Sequence, residues 1–274
     1  MSILNKGLNI FPTKKKVERM VELRAKERAA RERVCLALDT SDAAAAVTLA
    51  NELSAYVGFF KVGKELHTAA AQEGFRIVDK INDTTHDRKG NVFLDLKFHD
   101  TPPTVYGASI AAAVSGVRMF NIHIAGGKEM CMKALEGAYE GSERWVIKRP
   151  KVIGVTVLTS LDDADLAIQG LNVKYDDLVA RRTELARQWN LDGVVCPANK
   201  AGELEKQFGS DFLYVTPGIK WAGKHGAGQK QLYTPDRAVR DCSNSILVIG
   251  SAITGAEDRK ATAYAILQSM AQYL

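Results

Sequence analysis

Residues 93–103 read Phe-Leu-Asp-Leu-Lys-Phe-His-Asp-Thr-Pro-Pro, and within them Asp95, Lys97 and Asp100 set two acids around one lysine. Side chains alternate along a strand, so Asp95 and Lys97 share one face while Leu94 and Leu96 share the other. Asp100 lies past the strand and is placed by a loop that Pro102 and Pro103 stiffen. A lysine flanked by carboxylates stays charged even in a poorly solvated place, which is a device for chemistry on an anion. Two other readings fit the same residues. One is an exposed ion pair, worth under about 1 kcal/mol. The other is a magnesium site built from the carboxylates, against which the intervening lysine argues.

The elements that would carry this array follow from the pattern after residue 34. Short β-branched runs at 34–39, 57–62, 92–97, 118–123, 152–158, 193–196, 212–216 and 246–249 alternate with Ala- and Leu-rich amphipathic stretches at 42–55, 64–80, 102–116, 127–140, 175–189, 199–207, 235–241 and 256–273. Eight such strand–helix units in this length predict a (β/α)8 TIM barrel, with a doubly wound open sheet as the alternative. The barrel is favoured because special residues recur where each strand ends: Asp39, Lys61, Asp95 with Lys97, Asn121 with His123, Thr156 with Thr159, Cys196-Pro197, Thr216-Pro217-Gly218 and Gly250-Ser251. In a barrel those ends converge on one mouth, where active sites of this fold lie. Gly223, Gly226, Gly228 and Gly250 fall in the last two loops, where glycine lets backbone N–H groups approach a phosphate. No Walker A motif or strand-linked GxGxxG occurs, so neither a nucleoside triphosphate nor a dinucleotide is indicated. The polar stretch 81–91 reads as a surface loop.

Composition narrows the choice further. The chain of 274 residues suits one large domain or two small ones. Residues 1–33 hold ten Lys and Arg against four Glu, a surplus of six, so the remainder carries −1 of the chain's +5. A nearly neutral body gives no reason to expect nucleic acid. Residues 14–33 predict a helix with Thr13 as a possible N-cap, read as a solvated or loosely docked extension, with a docking arm as the alternative. The expected division is therefore an extension at 1–33 and a barrel domain at 34–274. Cysteines at 35, 131, 196 and 242 stand singly without zinc spacing, which suits a reducing cytoplasm, and Cys35 and Cys196 sit in apolar runs as small buried hydrophobes. No apolar run approaches the ~18 residues of a membrane span, and no signal-peptide apolar core is expected at the N-terminus.

The ordered strand ends resemble those of the orotidine 5′-phosphate decarboxylase family. The matching segments are Ala37-Leu38-Asp39, Phe60-Lys61-Val62-Gly63-Lys64-Glu65, Phe93 through Pro102, Asn121-Ile122-His123 with Gly126-Gly127, Val155 through Ser160, Leu191 through Cys196, and Val215-Thr216-Pro217-Gly218-Ile219. The resemblance spans about residues 34–255. It implies decarboxylation of orotidine 5′-monophosphate (OMP) to UMP, without metal or organic cofactor, by a cytoplasmic homodimer whose active sites lie at the interface. It implies that Lys97 protonates C6 of the pyrimidine, that Asp95 stands beside the substrate carboxylate, that Asp100 serves the partner's site and that Lys61 is the second lysine of the array. Asp39 would hold a ribose hydroxyl and Thr159 would meet the ring. Thr101, Thr104, Pro217, Lys220, Gln229, Gly250 and Ser251 complete the implied substrate contacts, with Gln229 and Gly250 at the phosphate. A magnesium-dependent sugar-phosphate decarboxylase or aldolase of the same superfamily is the alternative enzyme, and such relatives tend to carry an acid where this chain has Lys61. A non-catalytic barrel is the other alternative.

Three positions depart from the family's pattern. Ser251 and Lys220 stand where arginine is usual, and Ala227-Gly228-Gln229 replaces Gly-Asp-Gln. Serine cannot supply the bidentate phosphate contact of arginine, so Lys220, Lys224 or Lys230 is expected to compensate in part. His99 reads as structural, and His123 as a hydrogen-bonded core histidine.

Overall fold

The computed structural model describes residues 14–72, 76–84, 91–221 and 233–274. Eight parallel strands close into a barrel in sequence order: β1 (Val34–Ala37), β2 (Phe59–Gly63), β3 (Val92–Phe98), β4 (Met119–His123), β5 (Lys151–Val155), β6 (Gly193–Val195), β7 (Leu213–Thr216) and β8 (Ser245–Ile249), with β8 pairing back onto β1. The closed ring settles the choice between barrel and open sheet. A strand can be buried on both faces only if each face meets apolar side chains. Inside the ring, Cys35, Ala37, Phe93, Met119, Ile153, Leu213, Val215, Ile246 and Val248 form one cluster. Outside it, Leu36, Phe60, Leu94, Phe120, Val194, Tyr214 and Leu247 pack against the surrounding helices.

Those helices are α1 (Lys14–Arg31), α2 (Ala43–Leu53), α3 (Lys64–Gln72), α4 (Ile77–Asp83), α5 (Pro102–Val114), α6 (Gly127–Trp145), α7 (Asp163–Ile168), α8 (Tyr175–Gln188), α9 (Ala198–Phe208), α10 (Pro235–Asp241), α11 (Ser251–Thr254) and α12 (Arg259–Ala271). Their starts carry readable signals: Asp42 and Asp258 accept from backbone N–H groups three residues on, and Pro102 and Pro235 stand at the first helical positions. The single helix expected over 64–80 is two helices, α3 and α4. Ile81–Asp83, expected as loop, continue α4 because Ile81 is fully buried and anchors that turn. The short α7 was not expected. It is built on a capping box between Asp162 and Asp165.

Two features fix the frame around β3 to β6. On α6, a Cβ at Gly137 would lie 2.4 Å from the Tyr106 carbonyl and one at Gly141 would lie 2.9 Å from that of Ile110, so glycine alone permits this closeness to α5. Near the starts of β5 and β6, Arg149 grips Asp192 through two hydrogen bonds of 2.8 and 2.6 Å, and Asp192 also accepts from the Val152 N–H at 2.7 Å. All four cysteines are buried with free thiols. Burial pushes the thiols of Cys131 and Cys242 up to about 12 and raises those of Cys35 and Cys196 as well.

The N-terminal helix α1 lies against α12. Ala30 is buried and the Tyr264 hydroxyl donates to Glu27, whereas Met20, Val21 and Leu23 stay exposed. Thr13, its expected cap, lies outside the described residues. Among the described residues, no helix is long and apolar enough to cross a membrane.

Candidate active site

The site stands at the C-terminal ends of β1, β2 and β3. Lys61 on β2 donates to Asp39 at 2.7 Å and lies 3.4 Å from Oδ2 of Asp95. Lys97 donates to Oδ1 of the same Asp95 at 2.6 Å. The order Asp39–Lys61–Asp95–Lys97 is thus one continuous chain of alternating charge. Its inner members are sheltered: the side chains of Lys61 and Asp95 are each 12 % exposed, that of Lys97 26 % and that of Asp39 62 %. Burial works against a charged Lys61, but Asp95 and the hydrogen bond to Asp39 outweigh it and hold its pKa above the ordinary lysine value.

Lys97 does not sit on a regular strand. Its φ is 53°, in the left-handed region. The pairing of β3 with β4 runs from Leu94↔Phe120 to Phe98↔Ile122, so β3 advances four residues while β4 advances two. Plain alternation therefore does not bring Asp95 and Lys97 together. They meet across a bulge, and a left-handed lysine costs roughly 1–2 kcal/mol that its surroundings must offset. Asn121, 1 % exposed and given no role by the sequence, fills the gap. Its Oδ1 accepts from the Lys97 backbone N–H at 2.8 Å and its Nδ2 donates to Asp95 Oδ1 at 2.7 Å. The available signal was a carboxamide at an inward-facing barrel position, which demands partners.

Beside Lys97 opens a cavity of about 150 Å³ lined by Lys61, Phe93, Asp95, Lys97, Val155, Val157, Leu158, Thr159, Val195, Val215, Pro217 and Val248. One wall is charged and the rest is largely apolar, so a flat ring can sit with one edge against the ammonium groups. Of the expected site residues, the cavity gathers Lys61, Asp95, Lys97, Thr159 and Pro217, with Asp39 bound to Lys61 at its rim. Gly250 is close by: a Cβ there would stand 3.9 Å from an Asp39 carboxylate oxygen. Ser251 opens α11 and is exposed, as is Lys220. Asp100, Thr101 and Thr104 are not part of this cavity. They are exposed beside it, Asp100 accepting from the Thr101 N–H at 2.6 Å and the two threonine hydroxyls meeting at 3.0 Å. Gln229, Lys224, Lys230, Gly223, Gly226 and Gly228 lie outside the described residues.

His123, expected in the core, is half-buried and its ring packs 5.2 Å from that of His99. Burial, then His99, Lys97, Lys64 and Arg182, depress its pKa to about 4. The nearby Lys97, Lys64 and Arg182 side chains disfavour another positive charge on this ring. Above the ordinary value of 6.5 the ring is neutral in both folded and unfolded chains. Below it the unfolded chain takes up the proton first, so stability falls from about pH 6.5 toward pH 4. Proton NMR of the His123 ring should give a midpoint near 4, and a midpoint at 6.5 or higher would contradict this environment.

Residues 32–266 match a model of the "Orotidine 5'-phosphate decarboxylase / HUMPS family". The chain belongs to this family. A family member, the orotidine 5′-phosphate decarboxylase of Moorella thermoacetica, is 40 % identical over 257 residues, covering 93 % of this chain and 97 % of that relative. The crystal structure of orotidine 5′-phosphate decarboxylase from Lactobacillus acidophilus superposes with a TM-score of 0.73 at 31 % identity, over 86 % of this chain and 98 % of that one. The enzyme of Methanocaldococcus jannaschii, complexed with the inhibitor BMP, shares the fold of this family member with a TM-score of 0.64 at 20 % identity, over 87 % and 98 % of the two chains.

Proposed function

We propose that this chain decarboxylates OMP to UMP and carbon dioxide, the closing reaction of UMP synthesis, as a cofactor-free homodimer. The observation that carries the proposal is the Lys97 ammonium held at 2.6 Å from Asp95 on the rim of the largely apolar cavity. When the bond from C6 to the carboxylate breaks, its electron pair stays in the ring plane, where ring resonance cannot spread it. Lys97 stands where an ammonium would face that pair, stabilise it as it develops, and then hand C6 a proton. The lysine recovers its proton from solvent, so the products are UMP and carbon dioxide alone. Two charges about 4 Å apart interact by about 4 kcal/mol at an effective dielectric near 20, so a few such contacts lower a barrier by several powers of ten. Asp95 aims Lys97 through their 2.6 Å contact, and Lys61 flanks Asp95 from the other side at 3.4 Å.

Asp39, exposed at the rim and tied to Lys61, is assigned to a ribose hydroxyl, Thr159 and Pro217 to the ring, and Gln229, Gly250, Ser251 and Lys220 to the phosphate end. Asp100, with Thr101 and Thr104, is assigned to the partner's site, in keeping with its exposure on this protomer. Lys61 favours this reading over a magnesium-dependent aldolase or decarboxylase, because it fills the space between Asp39 and Asp95 with a cation. We further take 34–274 as the catalytic domain and 1–33 as an appended arm, a division in keeping with the family match beginning at residue 32. A cytoplasmic setting suits the four unpaired thiols.

The decisive experiment is the loss of OMP ultraviolet absorbance with purified protein, with and without EDTA. Turnover unaffected by the chelator supports the proposal, and absence of turnover, or its loss on chelation, overturns it. A separate measurement addresses the phosphate end. Ser251→Arg should lower KM for OMP by about tenfold, the worth of one charge-assisted contact. An unchanged KM would mean that the site already satisfies the phosphate.

A further inference from the structure

We propose that Asn121 is a positioning residue for this reaction: its carboxamide clamps the Lys97 peptide and the Asp95 carboxylate together, and so sets the ammonium's aim before substrate binds. The inference rests on the function proposed above and goes beyond it in naming the group that builds the array. Asn121 is the β4 residue opposite the bulge, between the paired positions Phe120 and Ile122. The bulge leaves the Lys97 N–H without a ladder partner on β4, and the Asn121 Oδ1 takes that role at 2.8 Å. The same amide's Nδ2 reaches Asp95 Oδ1 at 2.7 Å, the oxygen that also receives Lys97 Nζ at 2.6 Å. One planar group thus ties the backbone of the proton donor to the carboxylate that orients its side chain. Only one orientation of the amide serves both hydrogen bonds, since a peptide N–H requires an acceptor and a carboxylate requires a donor.

A planar amide fixes distances that a hydroxyl or a water bridge would leave loose. It also carries no charge of its own, so it adds no competing ion pair to the contacts of Asp95 with the two lysines. Asn121 is buried beneath the cavity and is not among its lining residues, so it has no need to touch substrate. Its loss should therefore appear in the chemical step and not in binding, which the ribose and phosphate ends of the substrate dominate.

The test is steady-state turnover of OMP by the full-length wild type, Asn121→Ala and Asn121→Asp, with kcat counted per folded molecule and thermal unfolding recorded in parallel. The aspartate variant is isosteric, so it remains informative if the alanine variant fails to fold. It can still accept from the Lys97 N–H, but beside Asp95 it sets acid against acid, replacing the amide's neutral donation with a shared proton or a repulsion. The expected result is a fall in kcat of about 10²-fold in both, the cost of a misplacement of the order of 1 Å. KM should stay within about threefold, because the two hydrogen bonds of Asn121 act through Lys97 in the transition state. A residue that merely stabilised the bulge would lower the unfolding temperature and leave kcat per folded molecule intact, and that outcome overturns the inference. So does a rise in KM that accounts for the whole loss. If the wild type turns over OMP and the variants match it, the positioning role alone is refuted. If the wild type itself is inactive on OMP, the underlying function falls instead.

Discussion

Lys97→Ala should abolish OMP turnover, lowering kcat by about 10⁴-fold or more. General acid catalysis contributes about 10²–10⁴, and electrostatic stabilisation of the developing carbanion about 10²–10³ beyond that. The fold should survive the change. Asp95 keeps Lys61 at 3.4 Å and Asn121 at 2.7 Å, so no carboxylate is stranded in the interior. Lys97→Arg is the sharper control. It restores a positive charge but holds its protons too tightly to deliver one to carbon, so it should remain more than about 10³-fold impaired. Ultraviolet assay of both variants, with circular dichroism to show that they are folded, decides the matter. A Lys97→Ala protein within tenfold of wild type would dismiss this lysine as the proton source.

The second large effect concerns Asp100. Within one protomer its carboxylate turns to the Thr101 N–H and stays exposed, while the charge chain from Asp39 to Lys97 is complete without it. If Asp100 serves the partner's site, two inactive variants should rescue one another. Asp100→Ala alone and Lys97→Ala alone should each be nearly inactive. Refolded together in equal amounts, half of the dimers would be mixed, and each mixed dimer would hold one site with both residues intact. Activity should return to about a quarter of wild type, the share that random pairing of two protomers dictates. A mixture no more active than its components would confine Asp100 to its own protomer, or leave the chain a monomer.

Much of the barrel could be read in advance because its physical signals are local. β-Branched runs of barrel-strand length, helices between them and special residues at every strand end leave few alternatives. Asp95, Lys97 and Lys61 were legible as candidates because each stands at the end of a strand, and a barrel gathers those ends at one mouth. The route by which they meet was not legible. Alternation predicts a shared face, whereas the structure uses a left-handed lysine and a shifted register, and nothing in Leu94 through Phe98 announces a bulge. Asn121 was visible as a polar strand residue but had no partner to assign until β3 was placed beside it. The split of the 64–80 helix was hidden for a different reason: buried Leu66, Ala70, Ile77 and Ile81 keep an apolar stripe on both sides of the break. The close seat of α5 on α6 depends on Gly137 and Gly141, whose value lies in what they lack, and periodicity does not register an absent side chain.

The sheltered cysteines have a practical consequence. Cys35 lies inside the ring and Cys131 on α6, while Cys196 just past β6 and Cys242 at the end of α10 neighbour one another, so the four report on three regions of the molecule. None offers a reactive thiolate to the surrounding solution while the protein is intact. An alkylating dye added in the cold would therefore mark each region only when it breathes open, and mass spectrometry of the labelled peptides would chart the order in which the molecule comes apart.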